Sequence, residues 1–316
     1  MDERIRIGIS ACLLGQPVRY DGSHKHDRYI TGTLGEYFEF VPVCPEVEAG
    51  FPIPRESLRL VGDPENPRIV TTRSGVDHTA RMTAWAERRV RELEAENLCG
   101  FIFKSDSPSS GLLRVKVYNE KGMAEKKGVG IFARAFTRHF PLLPVEEEGR
   151  LNDPKLREMF IEQIFTLKRW RETLALPRRL ANLVDFHTRH KLLILAHSPA
   201  VARAMGKLVA EAKRLPAAEL YRDYERLLME ALRTRTTVRK NLNVLQHILG
   251  YFKRQLTADE KQELLEVFDR YRREYVPLIV PVTLLNHYVR KYDQPYLRDQ
   301  VYLNPHPIAL KLRNHA

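Results

Sequence analysis

The sequence predicts two unlike domains: an α/β domain with a Rossmann-like parallel sheet over residues 1–145, and an all-α basic domain over residues 146–316. Three observations predict this. Short β-rich runs recur in the first half, with a helical stripe between them. From Asp153 onward, apolar residues return every three or four positions almost without a break. Charge divides in the same way. Residues 1–150 hold 22 Lys and Arg against 22 Asp and Glu, and the rest hold 30 against 18, so the whole net charge of +12 lies in the second half.

Each element has its own signal. RIRIGIS (4–10), FEFVPVC (38–44), GFIFKS (100–105) and LRVKVY (113–118) read as strands, and strands separated by helix imply parallel pairing. TARMTAWAERRVRELEAEN (79–97) reads as a helix buried through Ala80, Trp85, Ala86, Val90 and Leu93, with Asn97 and Gly100 as its stop. GVGIFARAFTRHFP (128–141) reads as a closing helix ending before Pro141. LLPVEEEGRLNDP (142–154) is the expected boundary, its three glutamates a solvated linker and not a metal site. Asp153-Pro154 then starts the helical half with proline at the first helical position. Thr257-Ala258-Asp259-Glu260 has the pattern of a capping box. No internal repeat is visible, which favours a bundle over a solenoid.

Composition removes several function classes. No run of eighteen apolar residues is present, so no membrane span is expected, and MDERIRIGIS does not read as a signal peptide. Cys12, Cys44 and Cys99 are too few and too scattered for a disulfide framework. A reduced, cytoplasmic setting is expected, with the thiols free for metal or for reaction. The basic half suits a polyanion, nucleic acid above all, with exposed aromatics to stack on bases. His187, His190, His197 and His247 are expected on helix faces or in the core, not in a metal cluster.

Chemistry concentrates after the strands. SACLLG, VCPEVEAG and KSDSPSSG follow the first, second and third strands. Parallel strands release such loops at one edge of the sheet, where ligands bind in open α/β folds. That edge gathers Cys12, Cys44, Glu46 and the loop from Ser105 to Ser110.

At these residues the chain resembles the thiouracil desulfidase family, through SACLLGQPVRYDGSHK, VCPEVEAGFPIPRE and FKSDSPSSGLLRVKVY. LPVEEEGRLNDP, FHTRHKLLILAHSP and PVTLLNHYVRKY resemble the helical domain fused to it in the tRNA 4-thiouridine desulfidase branch. The resemblance implies a 4Fe–4S cluster held by three cysteines, with one iron open to the substrate's sulfur. Water then replaces sulfur at the pyrimidine carbon, without net electron transfer. Cys12, Cys44 and the position of Ser110 are the implied ligands. Glu46 is the expected general base, within reach of the water. Ser105 or Ser107 is the essential serine; the sequence does not decide which. Lys104, Ser109, Asp21 and Lys25 are expected to bind substrate, although a turn-forming role for the last two has equal weight. The implied partner is tRNA carrying 4-thiouridine, its target base flipped out of the stack.

One residue departs from the family pattern: the chain has SPSSG where the family has SPSCG. Cys99 precedes the strand and lies about 17 Å from the catalytic edge, so it cannot substitute. A serine hydroxyl is a harder and far less acidic ligand than thiolate, so the cluster is expected to be absent or labile. Because the rest of the loop fits the active pattern, we read Ser110 as a Cys-to-Ser change in an active enzyme, in preference to a relative that has lost catalysis. A non-catalytic tRNA-binding protein and an iron–sulfur redox sensor are the alternatives. A free-base thiouracil enzyme would leave the basic half without a task.

Overall fold

A computed structural model describes residues 4–315, which form two compact units, the first running to Phe160 and the second beginning at Ile161. In the first unit, β1 (Ile5–Ser10) buries Ile5, Ile7 and Ile9 and lies beside β2 (Phe38–Val43), in parallel register from Ile5↔Phe38 to Ser10↔Val43. After β2 come the short helix α1 (Pro45–Glu48), the strands β3 (Leu58–Val61) and β4 (Arg68–Thr71), and α2 (Thr79–Glu92). The chain continues through β5 (Phe101–Phe103), β6 (Val115–Tyr118), β7 (Ala124–Gly128), α3 (Ile131–His139) and β8 (Val145–Glu147).

The main sheet has the order β2-β1-β5-β8, with every pair parallel. The chain therefore moves from β1 to β2 on one side and returns to β5 on the other, a switch in strand order centred on β1. Gly8 makes this pairing close: a Cβ there would stand 2.3 Å from the Phe101 ring. Phe101 and Phe103 then pack against Phe132 and Phe136 of α3. The buried face of α2 is Met82, Trp85, Ala86 and Val90, so Met82 replaces the expected Ala80, which is exposed.

Two expectations are corrected. LRVKVY does not join the parallel sheet. β6 belongs to a second, mixed sheet of order β4-β3-β6-β7, over a separate core that includes Phe51, Leu60, Ile69, Val115 and Val117. The alternation of buried Val115 and Val117 with exposed Lys116 belongs to a strand with one covered face. The second correction concerns VEEE. Residues 145–147 are the edge strand of the main sheet, and Glu146 and Glu147 are buried. A boundary between residues 145 and 146 would cut this strand, and the compact units divide later, after Phe160.

The second unit is helical. Its elements are α4 (Pro154–Ala175, whose first turns belong to the first unit), α5 (Leu180–His197), α6 (Pro199–Ala210), α7 (Ala217–Arg233), α8 (Val238–Tyr251), α9 (Ala258–Arg272), α10 (Ile279–Lys291) and α11 (Pro295–Arg298). α7 buries Leu220, Tyr221, Tyr224 and Leu228, a spacing of three to four that makes one apolar stripe. Trp170 lies against Tyr224 and Phe186 at the centre. The capping box at α9 is formed: Thr257 Oγ1 accepts from the Glu260 amide, and Glu260 Oε2 accepts from the Thr257 amide. His190 is a core residue whose burial lowers its pKa to about 3. Buried His197 faces the Thr234 carbonyl and Glu162 Oε2, both at 2.8 Å, while Arg313 meets the other Glu162 oxygen. Both ring nitrogens of His197 thus face hydrogen-bond acceptors of the protein, which leaves neither directed at a metal. No helix among the described residues is long and apolar enough to cross a membrane.

Candidate active site

The loops after β1, β2 and β5 enclose a cavity of about 390 Å³ at the carboxyl edge of the main sheet. Cys12, Cys44, Glu46, Lys25, Lys104, Ser105, Ser107 and Ser110 all line it. Each is delivered by local structure. The turn Ala11–Leu14 holds Cys12, whose carbonyl accepts from the amides of Gly15 and Lys25. Gly15 closes that turn at φ +87°, a conformation that glycine takes without a Cβ penalty. Cys44 caps α1, and its amide donates to Glu48 Oε1 at 2.9 Å.

Glu46 is tied from three directions. Ser109 Oγ donates to its Oε1 at 2.6 Å, and Arg55 Nη2 stands 3.9 Å from its Oε2. The Cys44 sulfur lies 3.6 Å from the same Oε2. Because Ser109 gives its only hydroxyl proton to Glu46, the 3.0 Å contact between Ser107 and Ser109 must have Ser107 as donor. The order Ser107→Ser109→Glu46 is therefore fixed by proton count. Ser109 is 0% exposed and is absent from the cavity wall, so it holds Glu46 from behind instead of meeting a ligand.

The third loop is anchored by the glutamates of the β8 edge. Glu148 accepts from Lys104 Nζ, from the Ser105 amide at 2.7 Å and from Ser105 Oγ at 2.8 Å. Glu147 accepts from the amides of Leu112 at 2.8 Å and Leu113 at 3.0 Å, and burial raises its pKa. Ser105 thus has its proton committed to Glu148, while Ser107 opens the relay toward Glu46. Glu148→Ala is expected to lower stability by about 1–3 kcal/mol, because it leaves the Lys104 ammonium without its counter-charge and the Ser105 amide without its acceptor. A urea midpoint equal to that of the parent would remove this anchoring role.

Asp21 is exposed, bonds Ser23 Oγ at 2.6 Å and does not line the cavity. Those bonds from Ser23 hold its pKa down, so the structure gives it a turn and not a ligand contact. Lys25, from the same segment, does reach the wall. Arg55, Glu147 and Glu148 were missed in the sequence. Arg55 lies in the quoted FPIPRE, and the glutamates were hidden by reading an acidic run as solvated.

The thiols and Ser110 answer the question of a cluster. Burial raises the Cys12 pKa to about 11 and the Cys44 pKa to about 12, the latter with help from the Glu46 charge. Ser110 is 4% exposed and lines the same cavity. Cys99 is buried before β5, on the far side of that strand from Ser110. Among the described residues, no three His, Cys, Asp or Glu side chains gather as a metal site. The arrangement therefore fits a three-thiolate cluster at two places and departs from it at the third, where an alcohol stands for a thiol.

Comparison with known proteins finds similarity to two families, one in each part of the chain. The profile of the 2-thiouracil desulfurase family matches residues 7–148, and residues 191–307 match a family described as protein of unknown function, DUF1722. Uncharacterized protein YbgA of Escherichia coli (strain K12) is 33% identical over 133 residues, covering 42% of this chain and 79% of that protein. Uncharacterized protein YbbK of Bacillus subtilis (strain 168) is 32% identical over 108 residues, covering 33% of this chain and 71% of that protein. Among solved structures, the [4Fe-4S]-dependent thiouracil desulfidase TudS matches with 33% identity and a TM-score of 0.38, over 48% of this chain and 95% of the other.

Proposed function

We propose, for a chain that belongs to the 2-thiouracil desulfurase family, that the cavity removes sulfur from 4-thiouridine in tRNA when position 110 carries a thiol, and that with Ser110 it is disabled. One observation carries this reading: Cys12, Cys44, Glu46 and Ser110 face a single cavity. The net reaction replaces C=S by C=O with water consumed and hydrogen sulfide released, so no electrons are needed. A 4Fe–4S cluster, when bound, supplies an iron that accepts sulfur as a Lewis acid.

The chain's own groups do the rest. Glu46 takes a proton from water at the pyrimidine carbon, and Arg55 balances its charge. Ser109 fixes the carboxylate through Oε1, so the water is taken by Oε2, the oxygen with only the longer contacts to Arg55 and the Cys44 sulfur. Lys25 adds positive charge to the wall, suited to the electron-rich pyrimidine oxygen and to the nearby phosphate, while the Lys104 charge is balanced by Glu148. Support for tRNA over a free base comes from the second half of the chain, which holds all the excess positive charge.

The test compares three substrates with the Ser110→Cys form reconstituted anaerobically: 4-thiouridine in tRNA, free 4-thiouridine and free 2-thiouracil. Thiolated tRNA is expected to show the highest kcat/KM. Equal or faster turnover of the free base would replace tRNA by a nucleobase substrate. A second reading, a non-catalytic RNA-binding protein, is favoured by the alcohol at position 110 alone. It predicts tRNA binding that ignores thiolation and no turnover even with Ser110→Cys.

A further inference from the structure

We infer that the groove lined by α5, α6 and α8 seats the phosphate backbone of RNA and stacks a base on Tyr251; this rests on the RNA reading of the function above. The groove has a volume of about 870 Å³. Lys191 enters it from α5, Arg203 from α6, and Arg239, Lys240 and His247 from α8, with no Asp or Glu among the lining residues. Elsewhere in this unit some cations are neutralised by acids on their own helix: Lys168 by Glu172, Arg226 by Glu230, Arg272 and Arg273 by Asp269. Among the described residues, no ion pair engages Lys191, Arg203 or Arg239. Lys240 donates only to main-chain oxygens, those of His197 and Arg235, both at 2.7 Å.

Gathered cations without acids repel one another, and a polyanion relieves that repulsion. The groove also carries an apolar platform. Tyr251, at the end of α8, is 42% exposed and stacks on Tyr296 with ring centroids 4.8 Å apart and planes 20° apart. Lys191 Nζ stands 4.8 Å from the Tyr296 centroid, on the same aromatic pair. A stacked tyrosine backed by a cation presents a rigid face to an unpaired base, while neighbouring Arg and Lys follow the phosphates. Asn243 and Thr237 line the groove as well and add neutral polar groups suited to sugar hydroxyls. An inorganic phosphate would use the cations and leave the aromatic face idle. A nucleotide chain uses both.

The experiment measures binding of an unthiolated tRNA transcript to the full chain across a salt series, for the parent, Arg203→Ala/Arg239→Ala and Tyr251→Ala. All three side chains are exposed, so circular dichroism should be unchanged, with at most a small drop in thermal midpoint for Tyr251→Ala, which loses its stack on Tyr296. The double variant is expected to bind on the order of tenfold or more weakly and to lose about 2 from the slope of log K against log salt. Tyr251→Ala is expected to weaken binding about tenfold with the slope kept, because stacking releases no counterions. Steep, salt-sensitive binding by the parent with unchanged binding by every variant would overturn the groove and leave the RNA reading standing. Absence of salt-sensitive binding by the parent would remove the RNA reading itself.

Discussion

Ser110→Cys is expected to raise bound iron and acid-labile sulfide from a small fraction to about four of each per chain after anaerobic reconstitution. The position is already built for it. Ser110 faces the same cavity as Cys12 and Cys44, and its amide donates to Ser107 Oγ at 3.1 Å. Two glycines clamp the surrounding backbone. A Cβ on Gly130 would come within 2.5 Å of the Ser109 carbonyl and 2.8 Å of the Ser110 nitrogen, and one on Gly111 within 2.7 Å of the Ser107 carbonyl. Because Ser110 lines the cavity, a sulfur in place of the hydroxyl oxygen has the cavity beside it. The two existing thiols are protonated when no metal is bound, with pKa values near 11 and 12 set chiefly by burial. Iron must displace those protons, so loading should weaken as pH falls. Serine has a far less acidic proton to displace. Equal, substoichiometric loading of both forms at every pH would contradict this role for position 110.

Glu46→Gln, made together with Ser110→Cys, is expected to cut kcat by about 10²- to 10⁴-fold with iron content unchanged. Glutamine keeps the size of the side chain, and its carbonyl can still accept from Ser109. What it loses is the capacity to take a proton. Ser109 cannot take that proton in its place, since a neutral serine hydroxyl is far too weak a base and its oxygen already accepts from Ser107. Turnover within a few-fold of the parent would move the base elsewhere in the cavity. Loss of iron along with turnover would make Glu46 a support for the metal site instead.

Much of the site was legible because its strands are buried and parallel. RIRIGIS, FEFVPVC and GFIF are β-rich segments with a reactive loop behind each, and parallel pairing alone brings the loops together. LRVKVY was legible as a strand but was assigned to the wrong sheet, because its alternation of apolar and charged residues is shared by RIRIGIS and does not tell the two sheets apart. Glu147 and Glu148 were not legible from composition. Their carboxylates are used by amides far away in sequence, and only the pairing of β5 with β8 brings those amides near. Ser105, Ser107 and Ser109 are chemically alike, and backbone direction alone sets one on Glu148, one in the cavity and one behind Glu46. The basic groove follows the same logic. Periodicity marks the apolar face of α8, but which cations lack an acid depends on the packing of its neighbours.

The most direct measurement is sulfide release, together with loss of 4-thiouridine absorbance in tRNA, for the Ser110 and Ser110→Cys forms reconstituted side by side. Turnover by the cysteine form and none by the serine form is the predicted result. An intact cluster in the cysteine form without sulfide release, or full turnover by the serine form, would contradict it.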